Sequence, residues 1–215
     1  MHDFSRRAEE TELMDDLSRP VSEFDRAYRE LAVINRRLGG IRAIERFLLA
    51  KQGLTVLDVG AGGCDVGDAL AQRSGAAVVS LDINSSGLHR STHTRPVVGD
   101  AMALPFARDS FDVVMCSLFF HHLTGDQCVR ALQEMWRTAR VLVIVNDLHR
   151  HPIAHASIVV LSRLFSKSVM VKHDGPASVR RAFTPAELMA LARRSGVPAR
   201  VHRSFPFRLV LVAKK

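Results

Sequence analysis

Two short stretches of this chain carry residues that can hold and release a proton near neutral pH. One is His121-His122, after Ser117-Leu118-Phe119-Phe120; the other is Asn146-Asp147-Leu148-His149-Arg150-His151. Imidazole titrates in that range, and a carboxylate beside it fixes its orientation. His121, His122 and His149 are therefore the candidate general bases. Phe120, Asp147 and His151 are the candidate substrate contacts, with Asp147 also able to orient a histidine. The bland readings are loop packing or helix capping for the pair, and a helix start for His151 and His155. A third stretch, Val56-Leu57-Asp58-Val59-Gly60-Ala61-Gly62-Gly63-Cys64-Asp65-Val66-Gly67, runs from apolar residues into a glycine-rich turn where backbone approaches a ligand closely. Asp82 ends the next apolar run, where a ribose diol wants a carboxylate. Gly60-x-Gly62-x-x-Asp65 puts an acid where a dinucleotide fingerprint has its third glycine. That acid would repel a pyrophosphate but not a cation.

The elements that must position these residues alternate. Strands are expected at 55–59, 78–82, 96–98, 112–117 and 141–145, and helices at 65–73 and 126–137. Such alternation argues for a parallel sheet covered on both faces. Thr184-Pro185-Ala186-Glu187 reads as a capped helix start, that helix ends at Gly196, and two last strands follow at 199–204 and 208–213. Functional residues of such sheets lie past the strand carboxyl ends, which is where both histidine stretches fall. Ahead of the sheet, residues 7–37 predict two helices separated by Pro20, with Ser18 or Ser22 as caps, and 41–49 a third. Residues 152–168 are apolar almost all round, so a helix there is buried or covers an apolar ligand; contact with a second copy or a membrane surface is the weaker reading.

The chain has 215 residues, 47% hydrophobic and 24% charged, as expected of one globular domain. Three cysteines without metal-ligand spacing, and no apolar leader, point to reduced thiols in a cytoplasmic protein. No stretch is long and apolar enough to span a membrane. The net charge of +8 raises nucleic acid as a partner, but the arginines are scattered and there is one Trp and one Tyr for base stacking. A solvated basic surface is favoured.

Further motifs join the glycine loop: Gly99-Asp100-Ala101-Met102-Ala103-Leu104-Pro105-Phe106, then Ser110-Phe111-Asp112-Val113-Val114. As a set over residues 54–145, these resemble the class I S-adenosylmethionine-dependent methyltransferases. The resemblance implies a Rossmann-like, doubly wound α/β fold with a seven-stranded, mostly parallel sheet and an antiparallel final strand. It also implies an N-terminal helical lid (1–50) on a methyltransferase domain (51–215) carrying a helical insertion after the fifth strand, about 150–183. The cofactor would be S-adenosylmethionine, with Gly60, Ala61, Gly62 and Gly63 against its methionine portion and Asp58 supporting the loop. Asp82 would hold the ribose, Ile83 border the adenine, Asp100 reach the adenine amino group beside Ala101, Ser117 lie near the methionine portion, and Arg37 pair with the methionine carboxylate. The chain departs from the family in lacking a Lys-Pro-Gly-Gly-like turn before the fifth strand and in its polar exit. With His173–Phe183, this resembles a bacterial subgroup associated with polyketide and aromatic secondary metabolism. The Asp-Asp-Asn set of magnesium-dependent relatives is missing, and no metal is expected.

These expectations converge on methyl transfer to a small, apolar aromatic molecule, at a phenolic oxygen. A quinol ring carbon is the nearest alternative. An RNA base methyltransferase and a cofactor-keeping binding protein are the other classes; the Asn/Asp-Pro-Pro-aromatic and Pro-Cys signatures of base methylation are absent. A monomer or a homodimer is expected.

Overall fold

Val56, Leu57 and Val59 are fully buried in β1 (Thr55–Val59), as a strand covered on both faces requires. The computed structural model describes residues 3–48 and 53–215. β1 pairs in parallel with β2 (Ala77–Asp82) and β4 (Phe111–Ser117); β2 pairs with β3 (Arg95–Val98) and β4 with β5 (Ala139–Leu148). β7 (Arg208–Lys214) runs antiparallel between β5 and β6 (Ala199–Ser204). The order is β3-β2-β1-β4-β5-β7-β6, a seven-stranded, mostly parallel, doubly wound sheet.

Helices cover both faces. α2 (Gly40–Glu45) and α3 (Asp65–Ser74) bury Ile44, Val66 and Leu70 against Val56, Met115 and Ile144. On the other face α5 (Gly125–Thr138) and α8 (Pro185–Ser195) bury Leu132, Met135 and Leu188 against Leu57, Val143 and Leu211. Both begin with a capping box, Thr124 with Gln127 and Thr184 with Glu187, and α8 stops at left-handed Gly196.

Three segments differ from the sequence expectation. Residues ahead of Pro20 hold a single 3₁₀ turn, Leu13–Asp15, in place of a helix. The backbone donors of Leu13 and Met14 go to the Asp174 carboxylate at 2.8 and 3.0 Å, so a tertiary acceptor replaces the helical ladder. The third front helix is α2, shorter than the expected 41–49, and the end of that range lies outside the described residues. β5 continues through Asn146, Asp147 and Leu148, which pair with β7, so the polar exit is strand. α1 (Val21–Arg37) and α4 (Ser85–Leu88) lie over the glycine loop, and α6 (Pro152–Phe165) packs on α7 (Val169–Arg181). α6 is not buried: Ile153, Val160, Leu164 and Phe165 are exposed.

Candidate active site

The glycine loop is built by its own backbone and by Asp82. The amides of Gly60 and Ala61 donate to the Leu81 carbonyl at 2.8 and 3.0 Å. The Gly62 and Asn84 amides each donate to the Asp82 carboxylate at 2.8 Å, which ties the loop to the end of β2. Gly60 and Gly62 have φ of 67° and 50°, a region L side chains rarely adopt. Two rings cover the loop. A Cβ on Gly60 would stand 2.4 Å from the Phe119 ring, and one on Gly63 would stand 2.9 Å from Tyr28 Cβ. Gly87 of α4 is closer still, since a Cβ there would meet the Gly62 carbonyl oxygen at 2.1 Å.

Three acids converge beneath the loop. Burial pushes the Asp58 carboxyl well up, and the charge of Asp65 adds to that effect. Burial raises Asp65 and Asp82 as well. The Asn35 amide donates to Asp65 at 3.2 Å and accepts from Arg208 at 3.0 Å.

The second centre lies past the end of β4. His121 Nδ1 is 2.7 Å from Asp147 Oδ1, and the His121 amide donates to Asp147 Oδ2 at 3.0 Å. His122 Nδ1 is 2.8 Å from Asp15 Oδ1. With Nδ1 held in each ring, both Nε2 atoms face Glu12, at 3.8 Å for His121 and 3.9 Å for His122. Glu12 is buried, and burial pushes its carboxyl up to about 7. Arg181 braces the cluster: Nη1 reaches Asp15 Oδ2 at 2.6 Å, while Nε and Nη2 donate to the His121 and His122 carbonyls at 3.1 and 2.8 Å. Against burial, His122 and Arg181 hold Asp15 well below the usual carboxylate range.

A family of methyltransferase domains matches residues 57–157. Among curated proteins, a demethylmenaquinone methyltransferase of Roseiflexus sp. is 31% identical over 112 residues, 46% of each chain. A ubiquinone biosynthesis O-methyltransferase of Pseudomonas fluorescens is 29% identical over 164 residues, 71% of this chain and 67% of that protein. The match thus spans about half the length of the first relative and two thirds of the second. Among solved structures, a SAM-dependent methyltransferase from Aquifex aeolicus superposes with a TM-score of 0.67 at 15% identity, covering 92% of this chain and 99% of that one. Residues 57–157, just under half of the chain, thus match a methyltransferase domain, and the fold is shared with SAM-dependent methyltransferases.

S-adenosylmethionine is the cofactor that goes with this domain, and the residues present fit it. A sulfonium and an ammonium would favour ionisation of buried Asp58 and half-buried Asp65 and Asp82 and relieve their mutual repulsion. Ile83, 62% exposed beside Asp82, offers an apolar edge for a purine. Ala101 is buried; Asp100 is exposed and already accepts from the Met102 amide at 2.8 Å. Ser117 Oγ accepts from Asn146 at 2.9 Å. Arg37 is exposed on the last turn of α1, and the α1 residues that face the loop of the methyltransferase domain are Tyr28 and Asn35, seven apart on one side of the helix.

The other site residues divide. His121, His122 and Asp147 come together as described. Phe120 is fully buried in the core and does not line the site; Phe119 is the ring on the loop. His151 caps α6, its Nδ1 accepting from the Ile153 amide at 3.2 Å, and stacks on Phe207. His149 lies beside His151, its pKa lowered by burial and then by Arg203, in a separate place from the cluster around Glu12. Sequence reasoning missed Tyr28, Asn35, Gly87, Glu12, Asp15 and Arg181. Gly87 alone had a local signal, a glycine just after the Asp82 turn.

Proposed function

We propose that this protein transfers the methyl group of S-adenosylmethionine to a phenolic oxygen of a small, apolar aromatic molecule. One observation carries the reading: two histidines, each oriented by a carboxylate, aim their free nitrogens at a buried glutamate, next to Phe119 on the glycine loop. When bound, the cofactor supplies an electrophilic methyl on a sulfonium. The protein must then align the acceptor oxygen in line with it and take the hydroxyl proton. With each Nδ1 donating to its carboxylate, Glu12, His121 and His122 meet through acceptor atoms, so a proton delivered there is shared among them. Asp147 and Asp15 act as positioning residues, holding each ring so that Nε2 faces inward.

Further support comes from the O-methyltransferase among the similar proteins. The quinol-carbon reading draws on the demethylmenaquinone methyltransferase instead, and both need an activated hydroxyl. The segment ahead of Pro20 and α1 would close over the site as a lid, and α6 would present apolar surface to the substrate or to a second copy. The test is S-adenosylhomocysteine release with a panel of phenols, alkylresorcinols, quinols and total RNA. Turnover with a phenol, lost in His122→Ala and kept in His149→Ala, supports the reading. Turnover on RNA alone overturns it.

A further inference from the structure

We infer that Glu12, His121 and His122 form a binding site for one divalent cation of the Zn²⁺ class. Their donor atoms lie within 4.8 Å of one another. Both imidazoles are arranged as metal-bound histidines are. Each gives its outer nitrogen to a carboxylate, Asp147 at 2.7 Å and Asp15 at 2.8 Å, which leaves the Nε2 lone pair pointing inward. A ligating histidine nearly always carries such an outer partner, and here two adjacent rings do.

A second, independent observation points to an occupant. Glu12 is 3% exposed, yet its Oε1 accepts no hydrogen bond. Oε2 takes one from Ser178 at 2.8 Å. The atoms around Oε1 are His121 Nε2 at 3.8 Å and Arg181 Nη1 at 3.6 Å, both beyond bonding distance. Arg181 is already committed to Asp15 and to two carbonyls. A buried carboxylate oxygen facing an imidazole nitrogen, with its nearest cation 3.6 Å away and bonded to Asp15, is unfavourable unless a further positive charge sits between them. A tetrahedral ion with bonds of about 2.0–2.1 Å sets its ligand atoms about 3.4 Å apart, so donor atoms now within 4.8 Å of one another need to close by up to about 1.4 Å. Two nitrogens and one carboxylate suit Zn²⁺, Co²⁺ or Fe²⁺ and do not suit Mg²⁺, which prefers oxygen throughout. The three carboxyl groups Glu12, Asp15 and Asp147 outnumber the two guanidiniums beside them, Arg181 and Arg7, which favours a cation. His122, the least buried of the three, marks the side of entry.

Such an ion would fasten the segment ahead of Pro20 to the loop after β4 and leave a fourth coordination position. The inference deepens the proposed function only in saying what occupies the same cluster; the binding itself needs no methyl acceptor.

The experiment is titration of tag-free, EDTA-dialysed protein with Co²⁺, followed by visible d–d absorption and by metal analysis after gel filtration. One Co²⁺ per chain with a tetrahedral spectrum is expected, displaced by Zn²⁺. Affinity should fall at least tenfold in Glu12→Ala and in His122→Ala and stay unchanged in His149→Ala. Absence of the spectrum, or its persistence in both cluster variants, overturns the inference. Absence of the spectrum in a protein that still methylates a phenol would overturn the ion alone and leave the proton-accepting cluster standing. Co²⁺ bound in a protein that methylates no phenol would support the ion and overturn the proposed function.

Discussion

Asp58, Asp65 and Asp82 converge beneath the glycine loop at a cost to the protein that carries them. Their raised pKa values mean that the folded chain keeps protons the unfolded chain would release. That contribution favours folding below the ordinary carboxylate range, about 4, and is lost as pH rises through the raised values. A cationic cofactor pairs with the ionised forms and reverses the sign. The rise in melting temperature caused by S-adenosylmethionine should therefore grow between pH 5 and pH 7.5. Thermal melts with and without cofactor check this, and a shift that shrinks over that range contradicts it. Asp58→Asn keeps an oxygen to accept from the Gly67 amide, the bond Asp58 now takes, and removes a buried ionisable group. It should stabilise the cofactor-free protein by about 1 kcal/mol, roughly 2–4 °C, while weakening cofactor binding measurably by calorimetry. Asp82→Ala removes the anchor for Gly62 and Asn84 along with the ribose carboxylate, and cofactor affinity should drop by more than about tenfold. Unchanged affinity would remove Asp82 from the site.

Elements bring together what the chain keeps apart, and this sets how much was legible beforehand. The strands and the glycine loop announced themselves because a buried parallel strand and a tight turn each have a local signature, apolar runs and glycines. Asp82 followed from its distance to that loop. The cluster around Glu12 had no such signature: Asp15 and His122 bond across 107 residues, and an acid in a mixed-charge segment looks like any solvated acid. Phe120 and Phe119 could not be told apart because a 3₁₀ turn, Phe120–His122, decides which ring goes to the core. Apolar periodicity in α6 did not say whether the helix was covered, and the structure leaves Leu164 and Phe165 70% and 77% exposed. Among the glycines, the tightest approach is at Gly87. Gly87→Ala sets a Cβ against the Gly62 carbonyl, so α4 must move off the loop; about 1–3 kcal/mol of stability and most cofactor affinity should be lost. Gly75→Ala, with nothing within 4 Å but a φ of 66°, should lower stability and leave cofactor affinity as it was. Parallel calorimetry of the two variants separates a loop effect from a folding effect.

Across the whole molecule, the segment ahead of Pro20 crosses from α7 to the strand-end loop. Arg7 donates to the Arg181, His121 and Leu123 carbonyls, Arg150 to those of Phe4 and Ser5, and Arg180 pairs with Glu10. The basic surplus that suggested nucleic acid is thus spent in part on holding this segment down. None of the helices among the described residues is long and apolar enough to cross a membrane, and α6 exposes Ile153, Val160, Leu161, Leu164 and Phe165. The proposed function puts the acceptor between the glycine loop and the histidine pair. The measurement that tests this most directly is transfer of a ¹³C-methyl group from labelled S-adenosylmethionine to an alkylresorcinol, followed by NMR of the product. A methoxy resonance that disappears in His122→Ala is the result expected. A ring-carbon methyl resonance, or methoxy formation unaffected by the substitution, would contradict the assignment of the oxygen and of the cluster that activates it.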